Sequence, residues 1–262
     1  MNQYTLIFDI ETVADVDAYR QLNRLEQGND DELYHLMANE RLSESGHTFM
    51  RHPLHKIVAI SLILKTPNHF KLWSLGDLKS DERELIQRFF QGIDKYSPTL
   101  VSWNGSGFDL PVLHYRALFH HIQAPRYFDI GDDERDFKYN NYLSRFHWRH
   151  IDLMDVLSGF QSQSRASLND IAKLCGFPGK LDIDGQAVQT LYSQGNLADI
   201  RHYCETDVLN TYLVYLRFEH LRGNLTFERY QQLIEEVQEH LQQSQAPHLQ
   251  AFLEAWADNP RA

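Results

Sequence analysis

Residues 4–11 read Tyr-Thr-Leu-Ile-Phe-Asp-Ile-Glu, and the reading of this stretch decides the fold. Thr5, Leu6, Ile7, Phe8 and Ile10 place β-prone side chains on both alternating faces, the pattern of a strand covered on each side. Asp9 and Glu11 stand two apart near its end, so both carboxylates leave the same face. Working outward, a polar, helix-prone stretch over 17–52 predicts an insertion packed beside the sheet. Residues 56–65 and 69–75 then read as two strands turned at Thr66-Pro67-Asn68. Asp81 to Tyr96 predicts an amphipathic helix with an acidic first turn, and 99–103 a short buried strand. Residues 109–121 read as a helix with Asp109 at its N-cap and Pro111 in the first turn. His150–Leu157 suggests a strand end running into a helix, and Ser167–Gly176 a capped helix. A long helix over Leu197–Leu221 is followed by two more beyond Gly223-Asn224. Strands first, then strands alternating with helices, predict an α/β domain over 1–222 and a C-terminal helical extension over 223–262.

Composition bounds the function. The chain has 262 residues and a mass of 30.8 kDa, which suits one large domain or one domain with a small appendage. No apolar run approaches the roughly 18 residues needed to cross a bilayer. The N-terminal strand lacks the basic start and cleavage site of a signal peptide, so the expectation is cytoplasmic. Cys175 and Cys204 are too few for a disulfide framework or a zinc site, and both read as buried thiols. Fourteen histidines occur without zinc-ligand spacing. The net charge of −11 argues against tight, sequence-blind binding to nucleic acid, whose affinity rests on neutralised phosphates. A weakly held anionic substrate is compatible with it, because a local cationic track or bound cations can serve. Arg145, Phe146, Trp148 and Arg149 form the one basic, aromatic patch that suggests such a track.

Two further acids join the first pair. Asp109 follows the strand over 99–103 and the turn Asn104-Gly105-Ser106-Gly107-Phe108. Asp207 lies four residues after Tyr203, on the same helix face. Carboxylates brought together repel and raise one another's pKa, a penalty that divalent cations remove. Oxygen ligands without cysteine suit Mg²⁺ or Mn²⁺.

Phe8-Asp9-Ile10-Glu11-Thr12, Asn104-Gly-Ser-Gly-Phe108-Asp109 and Tyr203-Cys-Glu-Thr-Asp207 resemble, in this order, the three exonuclease motifs of the DEDD superfamily. More closely, the chain is similar to predicted bacterial 3′–5′ exonucleases related to the proofreading domain of family B DNA polymerases. The resemblance implies a ribonuclease H-like mixed sheet of five to six strands. It also implies two metal ions, with Asp9 bridging both, Glu11 and Asp207 completing the ion that binds the attacking water, and Asp109 holding the second. Tyr203 would orient the water, and Thr12, Asn104 and Phe108 would hold the substrate. His202, five residues before Asp207, formally satisfies the histidine form of the third motif. The helix period and the Phe-Asp ending of the second motif favour Tyr203. The substrate implied is single-stranded or 3′-end nucleic acid, with DNA favoured over RNA, and a polymerase or repair partner would be a separate chain. A non-catalytic binding module of the same fold, or an endonuclease of the ribonuclease H-like class, are the alternatives.

Overall fold

The computed structural model describes residues 4–26, 28–181 and 187–258. β1 (Thr5–Ala14) leads into α1 (Val16–Asn23) and α2 (Asp30–Ser45), then into the hairpin of β2 (His55–Thr66) and β3 (His69–Ser74). Next come α3 (Glu82–Tyr96), β4 (Thr99–Ser102), α4 (Asp109–Phe119), the one-turn α5 (Pro125–Phe128), β5 (His150–Asp152) and α6 (Leu153–Leu157). The chain continues through α7 (Leu168–Leu174), α8 (Ala187–Ser193), α9 (Leu197–Leu221), α10 (Phe227–Gln243) and α11 (Pro247–Ala257).

The sheet has the order β3-β2-β1-β4-β5. β1 and β2 are antiparallel, as are β2 and β3, whereas β4 runs parallel to β1 and β5 parallel to β4. Three antiparallel strands joined by two parallel to the first make the expected ribonuclease H-like sheet, with five strands among the described residues. β1 is central, and its alternation sorts its side chains. Leu6, Phe8 and Ile10 join a core with Leu85, Phe89 and Phe90 of α3 and Leu110 and Leu113 of α4. Ile7 faces the other way, into a core with Val208, Leu209, Tyr212 and Leu213 of α9. Asp9 and Glu11 continue the row of Ile7, so they emerge where α9 crosses β1. The apolar row turns acidic at the C-terminal end of the strand, where α/β sheets commonly bind ligands.

α10 and α11 pack into the same core as α9 through Leu233, Val237, Leu241, Phe252 and Trp256. Lys65 of β2, 2 % exposed, reaches Glu236 of α10 at 2.8 Å. Each such large apolar side chain contributes about 1.5–3 kcal/mol on full burial, so these helices are bound firmly to the sheet. The segment between β1 and β2 differs. Ala18, Tyr19, Leu33, Met37, Met50 and Leu54 form a small core of their own. Its entry is fixed by Asp15, which caps α1 by accepting from the Ala18 N–H at 2.9 Å and pairs with Arg116 at 2.6 Å.

Two expectations need correction. Asp109 does not cap α4: it is the first helical residue, Phe108 occupies the cap position, and that position makes no side-chain capping bond. The Asp109 carboxylate is drawn instead to β1, as described below. Trp148 and Arg149 precede β5 at the opposite end of the sheet from the carboxylates. Arg149 donates to the Ser97 and Asn140 carbonyls, and Trp148 stacks under Arg222 at 3.9 Å. They are engaged in structure there, while Arg145 pairs with Asp155 at 3.4 Å.

Candidate active site

Three elements carry the acids to one place: β1 supplies Asp9 and Glu11, the start of α4 supplies Asp109, and α9 supplies Asp207. β4 stops pairing with β1 at the Ile7–Val101 register. Beyond that point β1 has no strand neighbour on this side, and Asp109 Oδ1 accepts the Ile10 N–H at 3.2 Å. The bond ties Asp109, which is 3 % exposed, to the strand near the two β1 acids, both of whose pKa values it raises. The turn that delivers it is tightly built. Asp152 accepts the Asn104 and Ser106 N–H groups, each at 2.9 Å. Asn104 has φ of +65°. A side chain at Gly105 would collide with Ser102, so that position has room only for glycine.

From α9, Cys204 packs against the first acid, its thiol donating to the Asp9 backbone oxygen at 3.4 Å and to Oδ2 at 3.5 Å. Ligand atoms of Asp9, Glu11 and Cys204 lie within 4.8 Å of one another, a group able to hold a metal ion. Burial, Asp9 and Glu11 all push the Cys204 thiol pKa up, so the sulfur is a weak donor here and not a thiolate ligand. Asp207 is 7 % exposed, and its Oδ1 is buried with no hydrogen-bond partner. Its Oδ2 lies 3.7 Å from Lys180 Nζ. The same ammonium donates to the Tyr203 hydroxyl.

The electrostatics follow from burial of like charges. Desolvation raises the pKa of Asp9 far above the ordinary carboxylate value, and Asp109 and Asp207 raise it further. Glu11 is raised in the same way, by burial first and then by Asp9 and Asp207. Asp109 is pushed up to about 7 by burial, against the lowering effect of its backbone hydrogen bonds. Asp207 is raised by burial and held back by Lys180. Tyr203 is raised by burial and by Asp207, Glu11 and Asp9, so its phenol stays protonated. Four acids and one lysine leave a net negative, desolvated site. An orphaned carboxylate oxygen and mutually raised acids fit a hard divalent cation.

Each site residue expected from sequence has a definite place. Asp9, Glu11, Asp109 and Asp207 influence one another electrostatically. Tyr203 faces the cluster, whereas His202 turns away and stacks on His248 of α11 at 4.0 Å. Thr12 and Phe108 line one cavity with Glu11, and Asn104 shapes the turn before Asp109. Sequence reasoning missed Lys180, Cys204 and Asp152. Lys180 ends Gly176-Phe-Pro-Gly-Lys180, a loop whose glycines and proline mark a turn without saying what its lysine would meet. Cys204 lies inside the third motif, where its apolar surroundings read as core alone.

Comparison with known proteins adds an independent line. The model of a family described as "Predicted 3'-5' exonuclease related to the exonuclease domain of PolB" matches residues 47–256, about four-fifths of the chain. A DNA polymerase of Archaeoglobus fulgidus is 27 % identical over 140 residues, 52 % of this chain and 17 % of that protein. The catalytic subunit of DNA polymerase epsilon from Kluyveromyces lactis is 30 % identical over 148 residues, 53 % of this chain and 6 % of that protein. The chain thus spans less than a fifth of these relatives' length. A solved family B DNA polymerase from Pyrobaculum calidifontis aligns with 80 % of this chain and 24 % of its own, at 17 % identity and a TM-score of 0.49.

Proposed function

Because the chain belongs to the family of 3′–5′ exonucleases related to the exonuclease domain of PolB, we propose that it hydrolyses phosphodiester bonds at the 3′ ends of nucleic-acid strands and releases nucleoside 5′-monophosphates. The observation that carries this reading is the meeting of Asp9, Glu11, Asp109 and Asp207 at one end of the sheet, with a buried Asp207 oxygen left unpaired. DNA is the favoured substrate, since the named relatives are DNA polymerases. The nuclease unit spans 1–222, and α10 and α11 of the extension over 223–262 pack against α9.

Asp9, Glu11, Asp109 and Asp207 would hold two ions, and their oxygen donors suit Mg²⁺ or Mn²⁺. Ions bound there would supply an acidified water and neutralise charge on the reacting phosphate. The chain's own residues do the rest. Asp9 is raised by both Asp109 and Asp207 and has its carboxylate beside that of Glu11, which suits it to share both ions. Asp109 keeps one oxygen on the Ile10 N–H, and its carboxylate would face an ion or its water. Tyr203 cannot act as a base with so high a pKa, and its hydroxyl serves to orient the attacking water. Lys180 holds the Tyr203 hydroxyl and Asp207 in register, and it tempers the negative field that the substrate phosphate must enter. Thr12 and Phe108 border the cavity beside Glu11 and would seat the terminal nucleotide, with Asn104 holding the turn that carries Phe108.

The test is digestion of 5′-labelled single-stranded DNA and RNA in Mg²⁺, in Mn²⁺ and in EDTA. We expect ladders that shorten from the 3′ end with either ion and are absent in EDTA or with Asp9→Ala. Internal cuts alone would point to an endonuclease, and binding without release would point to a non-catalytic module. Either outcome removes the proposal.

A further inference from the structure

Beside the acids lies a cavity of about 680 Å³, within the roughly 300–1,000 Å³ typical of small-ligand sites. Glu11 and Thr12 line it, so it borders the carboxylate cluster through Glu11. Its other side is built by the return from α2, which brings Phe49 and Met50 opposite Phe108. The rings are clustered: Phe49 lies 5.3 Å from Phe108 and 4.9 Å from His55, and His55 meets Phe108 edge-on at 5.0 Å. His52 completes the group, 5.9 Å from Phe108, with its Nε2 3.0 Å from the Gly107 oxygen. Phe108 is half-buried and His55 is 5 % exposed, whereas Phe49 is 55 % exposed and lines the cavity.

His55 fixes this arrangement to the strand that bears the acids. Its Nε2 lies 3.1 Å from the Met50 carbonyl, which can only accept, so that nitrogen carries the proton. Its Nδ1 then accepts from the Thr12 hydroxyl at 2.8 Å. Burial pushes the imidazole pKa down to about 4, and the ring is a neutral plate at ordinary pH. A neutral aromatic cluster, one exposed ring and an exposed polar rim at His47 and Thr48 suit a flat, heteroaromatic group better than a phosphate.

We propose that Phe49 is a stacking platform for one unstacked nucleobase at the 3′ end of the strand, so that the insertion between β1 and β2 forms a wall of the substrate site. This rests on the exonuclease reading and extends it to a residue outside the three motifs. A base seated on Phe49 cannot remain in a duplex, so the site selects frayed or single-stranded ends.

The experiment compares wild type, Phe49→Ala, Phe49→Trp and Leu22→Ala on a single-stranded oligothymidylate and on versions lacking the last or the second-last base. Leu22 is exposed on α1 outside the cavity. Phe49→Ala is expected to raise KM about tenfold, the order that base–aromatic stacking supplies, with kcat changed far less. Phe49→Trp should restore KM, and Leu22→Ala should leave it unchanged. Removing a terminal base should cost wild type a similar factor in KM and cost Phe49→Ala little, a coupling that loss of local structure would not produce. Melting temperatures identify a variant that fails to fold, in which case Phe49→Trp against the base-less strands carries the same comparison. An active wild type whose KM is indifferent to Phe49→Ala overturns the inference alone. A wild type that releases no nucleotide overturns the exonuclease reading as well.

Discussion

Two of the buried acid clusters among the described residues differ in a way that separates structure from chemistry. In one, Glu82 receives the Ile57 N–H at 2.7 Å, the Arg116 guanidinium at 2.8 and 2.5 Å, and His120 Nε2 at 2.6 Å. Arg116 also holds Asp15 at 2.6 Å, and all three charged residues are 6 % exposed or less. Every strong acceptor there faces a donor. In the other, four acids share one lysine and a buried Asp207 oxygen has no partner. A buried charge set that is matched within the chain pins elements together, here β2, α3, α4 and the entry to α1. An unmatched set has been left for something the chain does not supply.

The comparison is broken or sharpened by substitution, starting with the largest effect. On the proposed mechanism, Asp9→Ala should lower kcat by roughly a thousandfold or more while the melting temperature holds or rises, because it would remove a ligand of ions that supply several kcal/mol of transition-state stabilisation. Glu82→Ala should do the reverse, costing about 3–5 kcal/mol of stability in denaturant unfolding, since it leaves the buried Arg116 with Asp15 alone and the Ile57 N–H unpaired. If Asp9→Ala instead unfolded the protein, the two clusters would be alike and the contrast would fail. Tyr203→Phe should reduce kcat by about a hundredfold, the order that a misplaced attacking water costs, with His202→Ala within about threefold. The reverse ranking would reassign the third motif.

The unmatched cluster also predicts how stability depends on pH. A carboxyl whose pKa is higher folded than unfolded adds stability that is complete below its unfolded value, 3.8 for Asp, and is lost as pH rises through its folded value. Asp109 places that loss between about 4 and 7, and Asp9, Glu11 and Asp207 act in the same direction. In EDTA the melting temperature should therefore fall from pH 5 to pH 8. Millimolar Mn²⁺ should restore it, with a larger shift at pH 8 than at pH 5. Equal shifts at both would mean that the ions do not bind these acids.

Much of this is legible in the sequence, and what is not has a common cause. The period of two along residues 4–11 fixes both the central strand and the shared face of Asp9 and Glu11. The period of 3.6 fixes Tyr203 with Asp207, and the long helix runs from Leu197 to Leu221 as its pattern predicts. These are short-range relations. Lys180 and Cys204 matter through contacts with residues up to 195 positions away, which no local pattern encodes. Asp109 reads as a cap because the local rule is sound, but a tertiary donor, the Ile10 N–H, wins the carboxylate. Trp148 and Arg149 have a suggestive composition, and only the direction of β5 shows that they stand at the wrong end.

The self-contained core of the α1–α2 segment has an evolutionary consequence. Its apolar residues pack mainly on one another, so its length and sequence can drift, or be exchanged for another hairpin of helices, without moving the strand that bears the acids. A change there would reshape the wall of the cavity beside Glu11 and leave the acids where they are.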